Sequence, residues 1–361
     1  MTFTRVTLLQ HLREGAPVRD VELSGLSLED CELAGARFEG VTFTGTTLAR
    51  ASLKECLFQR CEWHGVTLAH ADLSGSTWVD CSLISVDASH SDLCNARFSG
   101  THARDCDFTS ARAEGLACIE GELERCRFDA AALSRALFER VALPGISFRQ
   151  THIVKTVFHK LDLRDAAFAG ATFAQAAFID CKLDGQRLHD LTLQSCQFIE
   201  CSLTDAVFDR ATLAGCNFQR AELGGASLLA AQAPGAIFYQ ARLALARFRD
   251  AHLPGTMWIE AYAQHADFGG ASLEDAQFRG ADASHASFAG AQLTRADFSG
   301  AILTGADMRD ARIEGLRCQG AIDAPCAGLP GIAPDDDARL AAEQWSRERD
   351  ARLGTDIYGE S

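Results

Sequence analysis

Proline and methionine are scarce in this chain, and long apolar runs are missing. Its 361 residues include 7 Pro and 3 Met, and no apolar run approaches the roughly 18 residues that a membrane-spanning helix needs. Basic side chains are also in deficit, since 34 Lys and Arg face 49 Asp and Glu, for a net charge of −15. These deficits argue against a membrane protein and against a nucleic-acid binder that neutralises phosphates. Residues 1–15 lack the basic-then-apolar order of a signal peptide, so we expect a cytoplasmic protein.

A five-residue repeat occupies most of the chain. Leu, Phe or a substitute stands at every fifth position from Leu23 to Cys318, without insertion or deletion. A small residue usually lies two positions before the central residue, and Gly often lies two positions after it. A period of five fits neither an α-helix nor a flat strand. The pattern therefore predicts a chain that turns every five residues.

The corners of the repeat carry turn residues, and a longer period gives the number of sides. Pro144, Pro234 and Pro254 each follow a central residue directly and precede Gly, as in the two middle positions of a type II turn. The column that begins at Phe38 and recurs every 20 residues is aromatic at 13 of its 15 places. Four five-residue sides per coil explain this period, and we call the side that carries this column the Phe side.

This ladder resembles the pentapeptide-repeat family, whose unit is a small residue, Asp or Asn, Leu or Phe, a polar residue and Gly. The resemblance covers about 296 of the 361 residues, and it implies a right-handed four-sided β-helix. The predicted fold is thus an all-β solenoid, a right-handed quadrilateral β-helix of about 15 coils. Three segments are predicted: an N-terminal cap at 1–20, the repeat β-helix at 21–322, and a linker with a C-terminal helix at 323–361.

Short helices are predicted at both ends of the repeat. Residues 7–15 are typical of a capping helix that Gly15 ends. Asp335, Asp336 and Asp337 favour the start of a second helix, which extends to about Leu353. That helix either folds back as a cap or serves as an oligomerisation or partner helix.

The 14 cysteines are predicted to be buried thiols rather than disulfides or metal ligands. Their place in the repeat decides this, because most of them replace Ala as small inward residues. Those in the small position are Cys31, Cys56, Cys61, Cys81, Cys106, Cys126, Cys181, Cys196, Cys201 and Cys216. Cys118 and Cys318 occupy central positions, and Cys94 alone faces outward as a candidate for modification. Unpaired thiols also favour a reducing compartment.

Catalytic and cofactor motifs are missing from the sequence. There is no GxSxG, no phosphate loop, no HExxH and no dinucleotide fingerprint, and the histidines fall at outward positions on different sides. We therefore predict no enzyme activity, no catalytic residues, no metal and no cofactor. Gln186 breaks the apolar rule at an inward position, and we expect a hydrogen-bonded buried amide there rather than a site.

One side of the predicted rod is apolar on its outer surface. The residues just before and after each centre should point outward, and on the Phe side eleven of 30 such places hold large apolar residues, against three, two and one on the other sides. The predicted protein interface comprises Leu57, Val79, Ile119, Leu137, Val157, Ile179, Ile199, Ile237, Tyr239, Met257 and Ile259. An apolar stripe with a charged rim is typical of a docking surface, although scatter on a β surface that favours Ile and Val is the alternative.

The sequence therefore favours a non-enzymatic protein interaction scaffold. Its partner is another protein or a second copy, bound through the Phe side as a homodimer or as a heterodimer with another repeat protein, with no nucleic acid or membrane involved. The segment 8–25 also resembles the openings of pentapeptide-repeat proteins associated with bacterial type VI secretion, which implies an accessory or effector-loading role. The alternative is an acidic DNA mimic that inhibits or protects a type II topoisomerase. Asp and Arg are interleaved on the side whose centres recur every 20 residues from Leu28, and no side reads as a continuous anionic stripe, which counts against that alternative.

Overall fold

The computed structural model describes residues 3–322 and 326–329, which belong to two compact units. The first unit extends to Cys201 and the second begins at Ser202. The predicted C-terminal helix at 335–353 lies outside the described residues. The division into segments at 20 and 322 stays a prediction.

The first unit is a solenoid of short parallel strands. Each strand pairs with residues 20 positions away, as in Phe38 with Phe58 and Phe58 with Trp78. This register confirms four sides per turn. The ten-stranded sheet on the Phe side, which we call the lateral sheet, consists of Val18–Arg19, Arg37–Glu39, Leu57–Gln59, Thr77–Val79, Arg97–Ser99, Ala117–Ile119, Leu137–Glu139, Val157–His159, Ala177–Ile179 and Gln197–Ile199.

Two smaller sheets form other sides of the first unit. The six-stranded sheet consists of Glu22–Ser24, Thr42–Thr44, Glu62–His64, Ser82–Ile84, His102–Arg104 and Glu122–Glu124. The four-stranded sheet consists of Ala132–Ser134, His152–Val154, Thr172–Ala174 and Thr192–Gln194.

The second unit keeps the 20-residue register but pairs through single bridges, such as Ile237 with Met257. The cause lies in the corners. On its Phe side, the amide of Ala221 donates to Phe218 O at 3.1 Å, which closes a four-residue turn. Because the turn uses the neighbouring residues, only one residue of each side remains to pair with the adjacent turn of the solenoid. On the Phe side of the first unit, the described corners lack this bond, and three-residue strands result.

The predicted number of coils is therefore wrong for the strand-built solenoid. The strands make about nine turns, whereas the sequence predicted about 15 coils. The five-residue period is the same for open and closed corners, so it could not show where strands give way to bridges. The fold class itself, a parallel β-solenoid with a short N-terminal helix, is confirmed.

The interior is filled by the central residues, which stack from turn to turn. Phe178 and Phe198 have ring centroids 4.9 Å apart with parallel planes, and Phe238 and Trp258 are 4.1 Å apart in the second unit. Rings of neighbouring sides meet edge to face, as Phe138 and Phe148 do at 5.7 Å. Such offset and T-shaped contacts stabilise the core beyond simple burial.

A helix covers the start of the first unit. It spans Arg5–Arg13, with Thr4 as its N-cap in a reciprocal capping box with Thr7. The predicted helix is thus confirmed but begins two residues earlier than expected, because Thr4 provides the cap. Leu8 is the residue of this helix whose side chain is fully buried. The described part of the chain has no helix of the length and apolarity that a membrane span requires.

Candidate interaction surface

The eleven predicted interface residues all lie beside central residues of the Phe side, and they flank buried rings such as Phe58 and Phe178. Ten of them are half-buried, and Met257 is exposed, with 37% of its surface accessible. Half-burial follows from stacking, because each outward side chain covers part of its neighbour one turn away. Within each unit, these side chains are therefore largely covered by their neighbours rather than fully exposed.

The main apolar patch of the first unit lies near the end of the lateral sheet. Strand pairing places Leu137 beside Val157 in one row and Ile179 beside Ile199 in the parallel row. Ile119 lies beside Glu139 in the second row. We call the patch formed by Ile119, Leu137, Val157, Ile179 and Ile199 the lateral patch.

Leu57 and Val79 do not belong to the lateral patch. Thr77, the pairing partner of Leu57, is followed in its row by Arg97, and Val79 is followed by Ser99. These polar residues interrupt the stripe that the sequence predicted. The interruption becomes visible only when residues that are 20 positions apart are placed side by side, as strand pairing places them.

The second unit carries its own apolar cluster. Ile237 pairs with Met257, and Tyr239 and Ile259 flank the same two central residues on the other side. The hydroxyl of Tyr239 lies 3.5 Å from a carboxylate oxygen of Glu260. This polar contact lies at the edge of the cluster, at a corner of the solenoid turn.

Charged side chains within and beside the lateral patch are paired with one another. Glu139, within the patch rows, lies 3.6 Å from His159 Nδ1 and 3.8 Å from Arg140. Arg140 also donates to Glu120 at 3.2 Å. Local pairing of this kind lets an apolar partner approach without isolating one charge.

On the other sides, described carboxylates pair with arginines of the stacked turn. On the Leu28 side, whose centres recur every 20 residues from Leu28, the carboxylate of Asp107 accepts from Arg127. Arg112 donates to Asp92 at 2.9 Å on the next side. Each of these two carboxylates is matched by an arginine one turn away.

The cysteines confirm the prediction of buried thiols. All are buried except Cys94 and Cys326, which are half-exposed, and no disulfide joins the described residues. Burial, with the carboxylate of Asp92 nearby, raises the pKa of the Cys94 thiol to about 11. Within the described ranges no cluster of three or more His, Cys, Asp or Glu side chains could hold a metal ion.

The repeat matches two models of pentapeptide-repeat sequences. The model described as "Pentapeptide repeats (8 copies)" matches residues 241–279 and 271–310, and the "Pentapeptide repeat region" model matches 31–108 and 152–228. Together they cover well over half of the chain. The chain belongs to the pentapeptide-repeat family.

Solved pentapeptide-repeat proteins are among the structures that the chain matches, at low sequence identity. HetL of the cyanobacterium Nostoc sp., described as involved in heterocyst differentiation regulation, is 18% identical over 89% of this chain and 98% of its own, with a TM-score of 0.28. QnrB1, a plasmid-mediated fluoroquinolone resistance protein, is 18% identical over 55% of this chain and 89% of its own in one trypsin-treated form, with a TM-score of 0.36. No curated protein matches the chain.

Proposed function

We propose that this pentapeptide-repeat chain is a non-catalytic scaffold that binds protein through the lateral patch of its first unit. The observation that carries the proposal is the pairing of Ile179 with Ile199 and of Leu137 with Val157 on one outward sheet face. The patch is mainly aliphatic, and the charges within and beside its rows are paired, since Glu139 lies close to both His159 and Arg140. Aliphatic residues with locally paired charges are typical of a protein interface.

The same surface supports either a second copy or a different protein as the partner. An isologous dimer requires a patch that complements itself, and two copies of a largely aliphatic patch meet this condition. The association with type VI secretion and the topoisomerase alternative stay predictions from resemblance, and no feature of the described surface favours either of them.

Light scattering after size-exclusion chromatography tests the role of the patch. Ile179→Glu with Ile199→Glu places two carboxylates in register on the lateral sheet. The matched control is Ala174→Glu with Gln194→Glu, because these residues pair in the same two turns on another side. If the partner is a second copy, the wild type and the control are dimers and the patch variant is a monomer.

Two other outcomes are informative. If all three proteins are monomers, the proposed partner is a different protein, which photo-crosslinking from position 179 in the host cell detects. A dimer that survives in the patch variant and is lost in the control would place the interface on another side and contradict the proposal.

A further inference from the structure

The hydrogen-bond ladder of the first unit is opened on the Leu28 side by Gln186. In the preceding turn the amide of Ala167 donates directly to Ile146 O at 3.0 Å. One turn later the amide of Arg187 donates instead to Gln186 Oε1 at 2.9 Å, and Gln186 Nε2 donates to Ala166 O at 2.7 Å. The side-chain amide thus lies between the two turns and replaces a backbone hydrogen bond.

Two neighbouring backbone bonds are also lost at this step. The amides of Phe148 and Gln150 donate to Ala167 O at 2.8 Å and to Ala169 O at 3.0 Å. Their equivalents one turn later, the amides of Phe168 and Gly170, have no hydrogen-bond partner among the described residues. In the regular ladder these amides point toward the next turn, so here they point toward the opening.

A cavity of about 630 Å³ occupies this opening. Three arginines line it, Arg149, Arg164 and Arg187, together with two aspartates, and Gln186 forms part of the wall. Arginines thus outnumber aspartates in the lining, in a chain whose net charge is −15. We call this cavity the Gln186 slot.

The arginines differ in their availability. Arg164 is held by Asp162 at 2.5 Å, and the side chain of Arg149 donates to Ser147 Oγ at 3.2 Å. The exposed guanidinium of Arg187 has no side-chain partner in the part of the chain that the structure describes. Arg187 therefore offers a charged fork beside two unpaired backbone amides.

We propose that the Gln186 slot binds a phosphate group. The planar guanidinium matches the geometry of phosphate oxygens, and backbone amides that converge on a concave site are the second recurrent donor to anions. Arg187 and the amides of Phe168 and Gly170 supply these donors. The phosphate is carried either by a free small molecule or by a phosphorylated residue of a partner protein.

The test is calorimetric titration of the full chain with inorganic pyrophosphate at low salt. Arg187→Ala removes the free guanidinium, and we expect about tenfold weaker binding. The matched control is Arg247→Ala. Arg247 occupies the same repeat position in an intact part of the ladder, where its amide donates to Ala226 O at 2.9 Å, and we expect less than a twofold change.

The variant Gln186→Ala distinguishes binding in the Gln186 slot from nonspecific attraction of pyrophosphate to the arginines. Alanine is frequent at this inward position, and the variant should let the turns close, so that the amides of Phe168 and Gly170 regain partners. Pyrophosphate binding should then be lost although all three arginines remain. Hydrogen exchange of the segment 166–170 reports the closure, and the melting temperature shows whether the variant is folded.

The proposal is overturned if pyrophosphate does not saturate the wild type, or if Arg247→Ala weakens binding as much as Arg187→Ala does. Should Gln186→Ala fail to fold, the comparison of the two arginine variants decides alone. Titration with ADP and with a phosphoserine peptide identifies the source, because the tighter ligand shows whether a small molecule or a protein carries the phosphate.

Discussion

Gly121 shows how strictly single positions are determined in this ladder. It occupies a small inward position with φ of +82°, and a Cβ there would lie 2.2 Å from Thr101 O and 2.8 Å from Thr101 N. Backbone atoms of the stacked turn cannot move aside as a flexible side chain can. No other residue fits this position without a shift of the turn.

Gly121→Ala should lower the free energy of unfolding by about 2–4 kcal/mol, from backbone strain and overlap together. Gly65→Ala is the control, since Gly65 also has a positive φ, of +59°, but nothing within 4 Å of its would-be Cβ. Urea denaturation should show the larger shift of the midpoint for Gly121→Ala. Equal shifts would mean that overlap with Thr101 contributes nothing.

Asp297 is a buried carboxylate, with 2% of its side chain exposed, and Arg279 donates to it at 2.7 Å. Burial alone would raise the pKa of Asp297, but hydrogen bonds from Ser299 and Arg279 outweigh burial and hold the pKa below its ordinary value. The resulting stabilisation is fully present above the unfolded pKa, near 4, and is lost as the pH falls through the lower folded pKa.

Arg279→Ala should therefore destabilise the protein at pH 7 by about 1–3 kcal/mol, because it leaves the buried carboxylate short of a donor. The difference from wild type should shrink as the pH falls below 4. Arg295→Ala is the control, since its partner Asp275 is exposed and solvent screens that pair. Thermal melts from pH 7 to pH 3 measure both variants, and a pH-independent loss in Arg279→Ala would refute the linkage to Asp297.

Individual elements differ in how far the sequence could predict them. The 20-residue register, the stacked aromatic columns, the buried cysteines and the hydrogen-bonded Gln186 follow from side-chain size and polarity, and the structure confirms them. The extent of three-residue strands does not follow, because it depends on whether a corner closes its hydrogen bond. Non-glycine residues such as Arg60 and Lys160 adopt positive φ at corners, so corner geometry cannot be read from glycine alone.

The residue types of the candidate site could be predicted from the sequence, but their grouping on the surface could not. The outward aliphatic residues are visible in the repeat, but the separation of Leu57 and Val79 from the lateral patch depends on which polar residues stack beside them. The Gln186 slot was missed. Its signal was a long polar side chain in a small inward position, and the loss of three backbone bonds beside that amide appears only in three dimensions.

The open ladder step predicts a difference in amide exchange within one side. The amides of Phe168 and Gly170 should exchange with solvent faster than those of Phe148 and Gln150, which are bonded to the next turn. Hydrogen exchange with overlapping peptides resolves the two segments. Equal protection of both segments would show that the step is closed in solution.

Across the whole molecule, the distribution of thiols gives a simple test of packing. Only Cys94 and Cys326 are accessible in the described residues, so iodoacetamide should modify at most these two quickly in the native protein and all 14 in denaturant. Because the pKa of Cys94 is about 11, its modification rate should rise about tenfold per pH unit between pH 7 and pH 10. Mass spectrometry of digests assigns the sites, and rapid modification of inward cysteines such as Cys126 would contradict the packed core.

The most direct test of the scaffold function is photo-crosslinking in the host cell. Benzoylphenylalanine replaces Ile179 in the lateral patch or, as control, Gln194 on another side of the same turn region. We predict a discrete crosslinked species, either a dimer of this chain or a single heterologous complex, from position 179 and not from position 194. Crosslinking from Gln194 alone, or from neither position, would contradict the assignment of the lateral patch as the protein-binding surface.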